Sequence, residues 1–310
     1  MKKEFTFPSK DGITQVHAIM WSPEGEPKAV LSLCHGMAEF IDRYDGFASY
    51  LAANGFVVVG HDHVGHGASV VDEEHRGYFD SERGNEYVIG DIHQLRCMTQ
   101  KKYPNLPYFI LGHSMGSFLT RQYIELYSKD LAGAVIMGTG NQPSIVLAGG
   151  RAVCRVIAAF KGWFYRSALV ENLSIGSYNK KFAPVRTPND WLTKDEKIVD
   201  FYEEHPWTGF RFTVSAYNQM FRGMQFAQNK ENIKRLDKRF PILLVSGSDD
   251  PVGNFEKGVK EVYKAYKDCG LEDVEMKFYP TDRHEILNEL DREQVYEDIL
   301  KWLDQKINER

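Results

Sequence analysis

Short apolar runs recur along the chain and predict eight β-strands. These runs are residues 4–7, 15–21, 29–36, 56–62, 108–114, 132–138, 241–247 and 274–280. From the third onward most are continuously apolar rather than alternating, which is typical of strands buried on both faces of a parallel sheet. Residues 42–55 and 84–103 have helical spacing and end at a glycine or before a proline. The pattern therefore predicts an α/β fold, with a mostly parallel eight-stranded sheet covered by helices on both faces.

One long interval contains no strand of this type. About a hundred residues separate the sixth run from the seventh. This interval is rich in aromatic residues, and helical spacing recurs in it at 193–205 and 211–229. We therefore predict a helical cap at residues 141–239, inserted into a core domain formed by residues 1–140 and 240–310.

Composition places the chain among ordinary globular proteins, since 43% of its residues are hydrophobic and 26% are charged. The net charge is −5 and the basic residues are scattered, which argues against a nucleic-acid partner. The first twelve residues alternate like a strand, so we expect no signal peptide. The longest apolar stretch, residues 144–164, is interrupted by three basic residues and falls short of a membrane span. The four cysteines are widely spaced, without a CxxC pair, which favours the reducing cytoplasm.

Ser114 stands between two glycines, Gly112 and Gly116, in the pattern G-x-S-x-G. An apolar run precedes it and helical spacing follows it, so the context is strand, tight turn and helix. Such a turn leaves the serine hydroxyl exposed at the edge of the sheet, where it serves as a nucleophile. The structural alternative is a serine that caps the following helix.

A serine nucleophile needs a histidine base, and the histidine needs an acid that holds its tautomer. With this kind of turn the chain order is serine, acid, histidine. His284 follows the last strand in a loop that leads to a helix, whereas His205 lies in polar sequence of the predicted cap, so we favour His284. The acid is expected after the seventh strand, where Asp250 is favoured and Asp249 is a close alternative.

Acyl transfer also needs hydrogen-bond donors for the oxyanion that forms on the attacked carbonyl group. We expect one donor to be the backbone N–H of Met115, directly after the serine. The second is expected from the loop after the third strand, at the backbone N–H of Met37.

Five ordered motifs carry a family resemblance over nearly the whole chain: HGMAEFIDRY from His35, GHDHVGHGAS from Gly60, GHSMG from Gly112, GSDDPVG from Gly247 and RHEILNE from Arg283. The chain resembles serine hydrolases of the α/β-hydrolase superfamily, in the monoacylglycerol lipase and lysophospholipase branch. That resemblance implies the α/β-hydrolase fold, a catalytic triad on Ser114, Asp250 and His284, and oxyanion amides at Met37 and Met115.

The expected substrate is a small lipophilic ester, such as a monoacylglycerol or a lysophospholipid, because the predicted cap is apolar and aromatic. Cap residues such as Ile145, Phe160 and Trp163 are candidates for lining the substrate site, with packing on the core as the alternative. The cap is also a candidate for transient contact with a lipid surface. The sequence leaves the oligomeric state open.

Two other motifs in the sequence have spacings that suit different chemistry. His61, His63 and His66 have a spacing that would suit zinc, but a hydrogen-bonded loop is the favoured interpretation, so no metal site is predicted. The glycines at 138 and 140 lack the rest of a dinucleotide fingerprint, and no cofactor is expected. The alternative functions are a short-chain or aromatic (cinnamoyl-type) esterase, a hydrolase of C–C or amide bonds with the same triad, and a non-catalytic binding protein on this scaffold.

Overall fold

The computed structural model describes residues 1–310 and contains all eight predicted strands. The strands are β1 (Lys2–Pro8), β2 (Gln15–Trp21), β3 (Ala29–Cys34), β4 (Phe56–His61), β5 (Tyr108–His113), β6 (Gly133–Met137), β7 (Ile242–Gly247) and β8 (Val274–Tyr279). The helices are α1 (Asp45–Ala53), α2 (Gly84–Lys102), α3 (Met115–Tyr127), α4 (Ser144–Lys161), α5 (Ala168–Ser174), α6 (Glu196–Glu204), α7 (Val214–Ala227), α8 (Lys230–Ile233), α9 (Lys257–Asp268) and α10 (Arg292–Asn308).

The eight strands form one sheet in the order β1-β2-β4-β3-β5-β6-β7-β8. Only β1 with β2 and β2 with β4 pair in antiparallel orientation, and the remaining pairs are parallel. The strands from β3 to β7 are completely buried, as their continuous apolar character predicted. The predicted mostly parallel sheet is thus confirmed.

Helices cover both faces of the sheet because neighbouring strand residues point to opposite sides. In β4, Val57 and Val59 belong to a core with α2, α3 and α9, whereas Phe56 and Val58 belong to a second core with α1 and α10. The two cores contain 40 and 28 buried residues, so each face of the sheet is packed.

The parallel strands bring distant parts of the sequence to one edge of the sheet. The carboxyl ends of β3, β5, β7 and β8 are followed by the loops that carry Met37, Ser114, Asp250 and His284. In open α/β sheets this edge is where ligands bind.

The segment between β6 and β7 contains five helices, α4 to α8, and no strand. Helix α7 packs on α3 of the sheet region, and α4 packs on α7. The predicted helices of this segment are present, while its role as a cap, with boundaries at 141 and 239, stays a prediction. None of the chain's helices combines the length and the apolar character needed to cross a bilayer.

Candidate active site

Ser114 lies on a tight turn between β5 and α3. Its backbone has φ 54° and ψ −121°, a left-handed conformation that is strained for a residue with a side chain. A Cβ on Gly112 would lie 2.1 Å from the Gly116 carbonyl oxygen, and one on Gly116 would lie 2.0 Å from that of Cys34. Both positions therefore need glycine, because a neighbouring backbone segment occupies the space that a Cβ atom would fill. The Ser114 side chain makes no capping hydrogen bond to α3, so the capping interpretation is wrong.

Asp250 and His284 form a buried pair. Oδ2 of Asp250 lies 3.0 Å from Nδ1 of His284, and the two side chains are at most 2% exposed. Oδ1 of Asp250 accepts a hydrogen bond from the Val252 N–H at 2.8 Å, which fixes the carboxylate. Nε2 of His284 is buried and has no partner in the protein. Asp250 thus orients the imidazole through Nδ1 and leaves Nε2 free for a proton.

The alternative acid and base lie elsewhere. Asp249 forms a partly exposed ion pair with Lys181 at 2.6 Å. The ring of His205 stacks on Phe40, with ring centroids 4.6 Å apart. Asp249 makes no hydrogen bond with His284, whose Nδ1 pairs with Asp250, and His205 does not line the cavity containing Ser114.

The expected oxyanion donors belong to Met37 and Met115, which line the same cavity as Ser114 and His284. Neither N–H has a hydrogen-bond acceptor within the protein. A Cβ on Gly36 would lie 3.1 Å from Cβ of Ser114, so the loop after β3 passes directly beside the serine. The structure therefore places Met37, Ser114, Met115 and His284 around one cavity, and Asp250 is bonded to His284. Ser114 makes no hydrogen bond with His284 in this conformation.

A buried ionic cluster borders the cavity, and no motif in the sequence predicted it. The Arg43 guanidinium donates to Glu39 at 2.6 Å and to both oxygens of Glu285 at 2.7 and 2.8 Å, and all three side chains are 4% exposed. Nδ1 of His113 lies 3.0 Å from the Tyr44 hydroxyl, which donates to Glu39 at 2.9 Å. The cluster joins the Met37 loop to the residues next to Ser114 and His284.

The electrostatics of this cluster depend on Arg43. Burial alone would raise the pKa of the Glu39 and Glu285 carboxyl groups, but the adjacent guanidinium holds both pKa values below their ordinary range. The only local signal in the sequence is the four-residue spacing of Glu39 and Arg43, because Glu285 is 242 residues away from its partner.

The histidines at 61, 63 and 66 are buried, with His61 at the end of β4 and the other two in the loop that follows. Burial lowers the pKa of His61 and of His66 to about 3, so these rings are neutral at pH 7. The His63 N–H donates to Nε2 of His35 at 2.9 Å. Asp62 accepts hydrogen bonds from the N–H groups of Ile41 and Ala68, so the segment supports neighbouring loops.

The cavity at Ser114 has a volume of about 1190 Å³ and extends under the segment between β6 and β7. One part of it, here called the apolar arm, is lined by Phe118, Leu147, Met220, Phe221 and Met224. Phe118 lies one helical turn after Ser114, so the apolar arm starts beside the serine.

The three cap residues predicted to line the substrate site lie elsewhere in the structure. Ile145, Phe160 and Trp163 do not line the cavity; Val146, Leu147 and neighbouring residues of α4 do. Ile145 and Phe160 project to solvent with 82% and 83% of their area exposed, while Trp163 packs on the core. Both faces of α4 are apolar, so hydrophobicity alone could not indicate which face turns inward.

The chain is similar to known proteins in both sequence and structure. The family described as serine aminopeptidase S33 matches residues 25–291. The monoacylglycerol lipase of Mycolicibacterium smegmatis is 26% identical to this chain, over 97% of each protein. Human monoglyceride lipase is 27% identical, over 92% of this chain and 86% of its own length.

A solved esterase structure is also similar to this chain over its whole length. The thermostable carboxyl esterase of Bacillus coagulans has a TM-score of 0.92 and 29% identity, and the match covers 99% of each chain. The family match and these relatives extend over most of the chain. The chain therefore belongs to the serine aminopeptidase S33 family of α/β-hydrolases, in its monoglyceride lipase branch, and is an ester hydrolase.

Proposed function

We propose that the chain hydrolyses lipophilic carboxylic esters, with monoacylglycerols as the preferred class, through an acyl-enzyme on Ser114. The observation that carries the proposal is the convergence on one cavity of a strained serine, a buried Asp250–His284 pair and two amide N–H groups without acceptors. Nucleophile, base and oxyanion donors are the three parts that acyl transfer requires.

In the proposed reaction, Oγ of Ser114 attacks the ester carbonyl carbon while its proton passes to Nε2 of His284. The charge on the carbonyl oxygen is stabilised by the N–H groups of Met37 and Met115. The bond to the alcohol then breaks, and His284 returns the proton to the leaving oxygen. Water attacks the acyl-enzyme by the same steps and releases the carboxylic acid, while Asp250 stabilises the imidazolium.

The apolar arm supports a lipophilic acyl group. Phe118, Leu147 and Met224 are each at most 8% exposed and form one hydrophobic cluster beside Ser114. Each methylene group of an acyl chain buried there is expected to contribute about 0.8 kcal/mol. Binding energy should thus grow with chain length until the arm is filled.

The remainder of the cavity supports a neutral alcohol group over a phosphorylated one. Its charged lining includes Glu171, Glu203 and Glu261 but only two cations, Arg211 and Lys257. Arg211 is already paired with Glu171, which leaves Lys257 alone to meet a phosphate. Phosphate sites usually combine several cations or N–H groups. We therefore propose monoacylglycerol as the preferred class, with lysophospholipid second.

The first test combines labelling with a substrate series. A fluorophosphonate probe is expected to modify Ser114, as mapped by peptide mass spectrometry. With glycerol monoesters, kcat/KM should rise at least about tenfold from the acetate to a medium or long acyl chain. At equal chain length, the monoacylglycerol should be hydrolysed faster than the lysophospholipid.

Other outcomes would contradict parts of the proposal. A maximum at the acetate, or with cinnamoyl esters, would identify a short-chain or aromatic esterase. Turnover of amides or C–C bonds without ester turnover would assign the same residues to another reaction. A wild-type protein that neither reacts with the probe nor hydrolyses any ester would be a binding protein on this scaffold.

We also propose that residues 141–239 act as a cap that contacts lipid surfaces. Helices α4 and α5 pack against each other and carry an exposed apolar patch, here called the α4–α5 patch. It consists of Ile145, Val156, Phe160, Leu169 and Leu173, each more than half exposed. The same helix α4 carries basic residues, which favour anionic lipid.

Substituting two residues of the α4–α5 patch tests lipid contact. Phe160→Glu with Leu173→Glu is expected to weaken binding to vesicles containing anionic lipid by about tenfold or more, because two apolar side chains no longer enter the lipid. Cosedimentation with these vesicles measures the bound fraction of each variant. Leu290→Glu is the control, since Leu290 is 68% exposed but lies outside the segment. Equal binding of both variants would refute the lipid role of the patch.

The free state of all four cysteines supports a reducing compartment. Cys34, Cys154 and Cys269 are buried and Cys97 is exposed, and none is paired. We propose the cytoplasm as the location on this ground.

A further inference from the structure

Part of the inserted segment is fastened to the loop that carries His284. Residues 190–194, here called the strap, run beside residues 282–289, the histidine loop. The Trp191 carbonyl oxygen accepts a hydrogen bond from the His284 N–H at 3.4 Å, and the Leu192 oxygen accepts one from the Glu285 N–H at 2.7 Å. The Arg283 guanidinium donates to backbone oxygens of the strap. The strap thus holds the backbone on both sides of the imidazole.

Side chains strengthen the same connection. Lys194 donates through Nζ to Asp282 at 2.7 Å, and its backbone N–H lies 3.1 to 3.2 Å from the two carboxylate oxygens of Glu289. The Asp282 and Glu289 side chains are fully buried. The hydroxyl of Thr193 donates to the Asn288 carbonyl oxygen at 3.1 Å. Strap and histidine loop are therefore joined by both backbone and side-chain hydrogen bonds.

The strap also supplies an aromatic ring to the imidazole. The Trp191 ring centroid lies 5.0 Å from that of His284, with 39° between the ring planes. Trp191 is itself buried and packs against Tyr178 at 4.9 Å. The other ring beside His284 is His113, 4.6 Å away, which belongs to the end of β5. One of the two ring contacts of His284 thus comes from outside the sheet region.

We propose that Trp191 is a positioning residue that holds the His284 imidazole with Nε2 directed at Ser114. This inference rests on the proposed function. The only side-chain hydrogen bond to the imidazole is the one from Nδ1 to Asp250, and a single bond leaves the ring free to turn about that contact. Flat neighbouring rings restrict this rotation. Residues 190–194 therefore belong to the framework that positions His284.

The test compares Trp191→Ala with Trp191→Phe on two soluble esters, 4-nitrophenyl acetate and 4-nitrophenyl octanoate. Trp191→Ala is expected to lower kcat by about 10- to 100-fold, by the same factor for both esters and with KM nearly unchanged, because small misplacements of a catalytic group cost about this much. Trp191→Phe should retain kcat within about threefold. A loss confined to the octanoate would make Trp191 a substrate contact and would overturn the inference.

Two further variants separate positioning from folding. Trp191→Leu keeps much of the buried volume without a flat ring, and it should lose kcat like the alanine variant while its thermal unfolding stays close to that of the wild type. Trp163→Ala removes a tryptophan of the same segment that does not border the cavity, and its kcat should stay unchanged. If the wild type neither reacts with a fluorophosphonate nor hydrolyses esters, the proposed function has failed. If the wild type is active and all Trp191 variants match it, only this inference has failed.

Discussion

Replacing Ser114 by alanine is expected to lower kcat for ester hydrolysis by about 10⁴-fold or more, because the acyl group then has no oxygen to which it can be transferred. His284→Ala should cause a loss of similar size, since the serine hydroxyl is a poor nucleophile until Nε2 takes its proton. Residues that act as a unit give non-additive losses. The double variant should therefore be little worse than either single variant, as measured with one soluble ester under saturating conditions.

The acid offers a matched control, because two aspartates are adjacent in the sequence but differ in their contacts. Asp250→Asn disturbs the 3.0 Å contact with Nδ1 and should lower kcat by about 10⁴-fold, through the wrong imidazole tautomer. Asp249→Asn removes only the partly exposed pair with Lys181 and should leave kcat unchanged. Equal effects at both positions, or additive losses at Ser114 and His284, would contradict the triad.

The strand pattern and the position of Ser114 were predictable because they depend on neighbouring residues. A continuous apolar run, then glycines on either side of a serine, then helical spacing describes strand, turn and helix within twenty residues. The chain order of nucleophile, acid and base then pointed to His284 and Asp250. In the fold, the carboxyl ends of β5, β7 and β8 bring these positions to one edge of the sheet.

Other features of the site depend on partners that local patterns do not reveal. Arg43 meets Glu285 across 242 residues, and Trp191 meets His284 from a segment without regular secondary structure. The prediction of the cavity-lining residues in α4 was wrong for another reason. Apolar residues occur on both the inner and the outer face of this helix. A hydrophobic pattern indicates that such a helix is amphipathic or buried, but the contacts with α7 decide which side is covered.

The second large effect is expected at Arg43, the centre of the buried ionic cluster. Its guanidinium pairs with two buried carboxylates. The Cζ atom of Arg43 also lies 5.0 Å from the centroid of the Tyr202 ring. Arg43→Met would leave Glu39 and Glu285 as unpaired buried charges. Breaking a buried ion pair in this way is expected to lower the free energy of unfolding by about 3–5 kcal/mol. Urea denaturation of the wild type and of Arg43→Met at pH 7 measures the difference.

A surface ion pair provides the control for Arg43. Arg186 and Asp200 are 41% and 51% exposed, so Arg186→Met should cost less than about 1 kcal/mol. A variant that combines Glu39→Gln, Arg43→Met and Glu285→Gln removes all three charges and should be more stable than Arg43→Met alone. If Arg43→Met and Arg186→Met destabilise the protein equally, the cluster does not contribute as described.

The pH dependence distinguishes unpaired charge from lost packing. In the wild type, folding lowers the pKa values of Glu39 and Glu285. Their contribution to the free energy of unfolding is therefore fully present above the ordinary carboxyl pKa of about 4.3. It is lost as the pH falls through the pKa values of the folded state. Without Arg43, burial would raise both pKa values, and protonation would relieve the cost already in mild acid. The difference in the free energy of unfolding between wild type and Arg43→Met should therefore shrink from pH 8 to pH 5. A difference that stays constant over this range would show that Arg43 acts through packing, because the burial of apolar atoms does not change with pH.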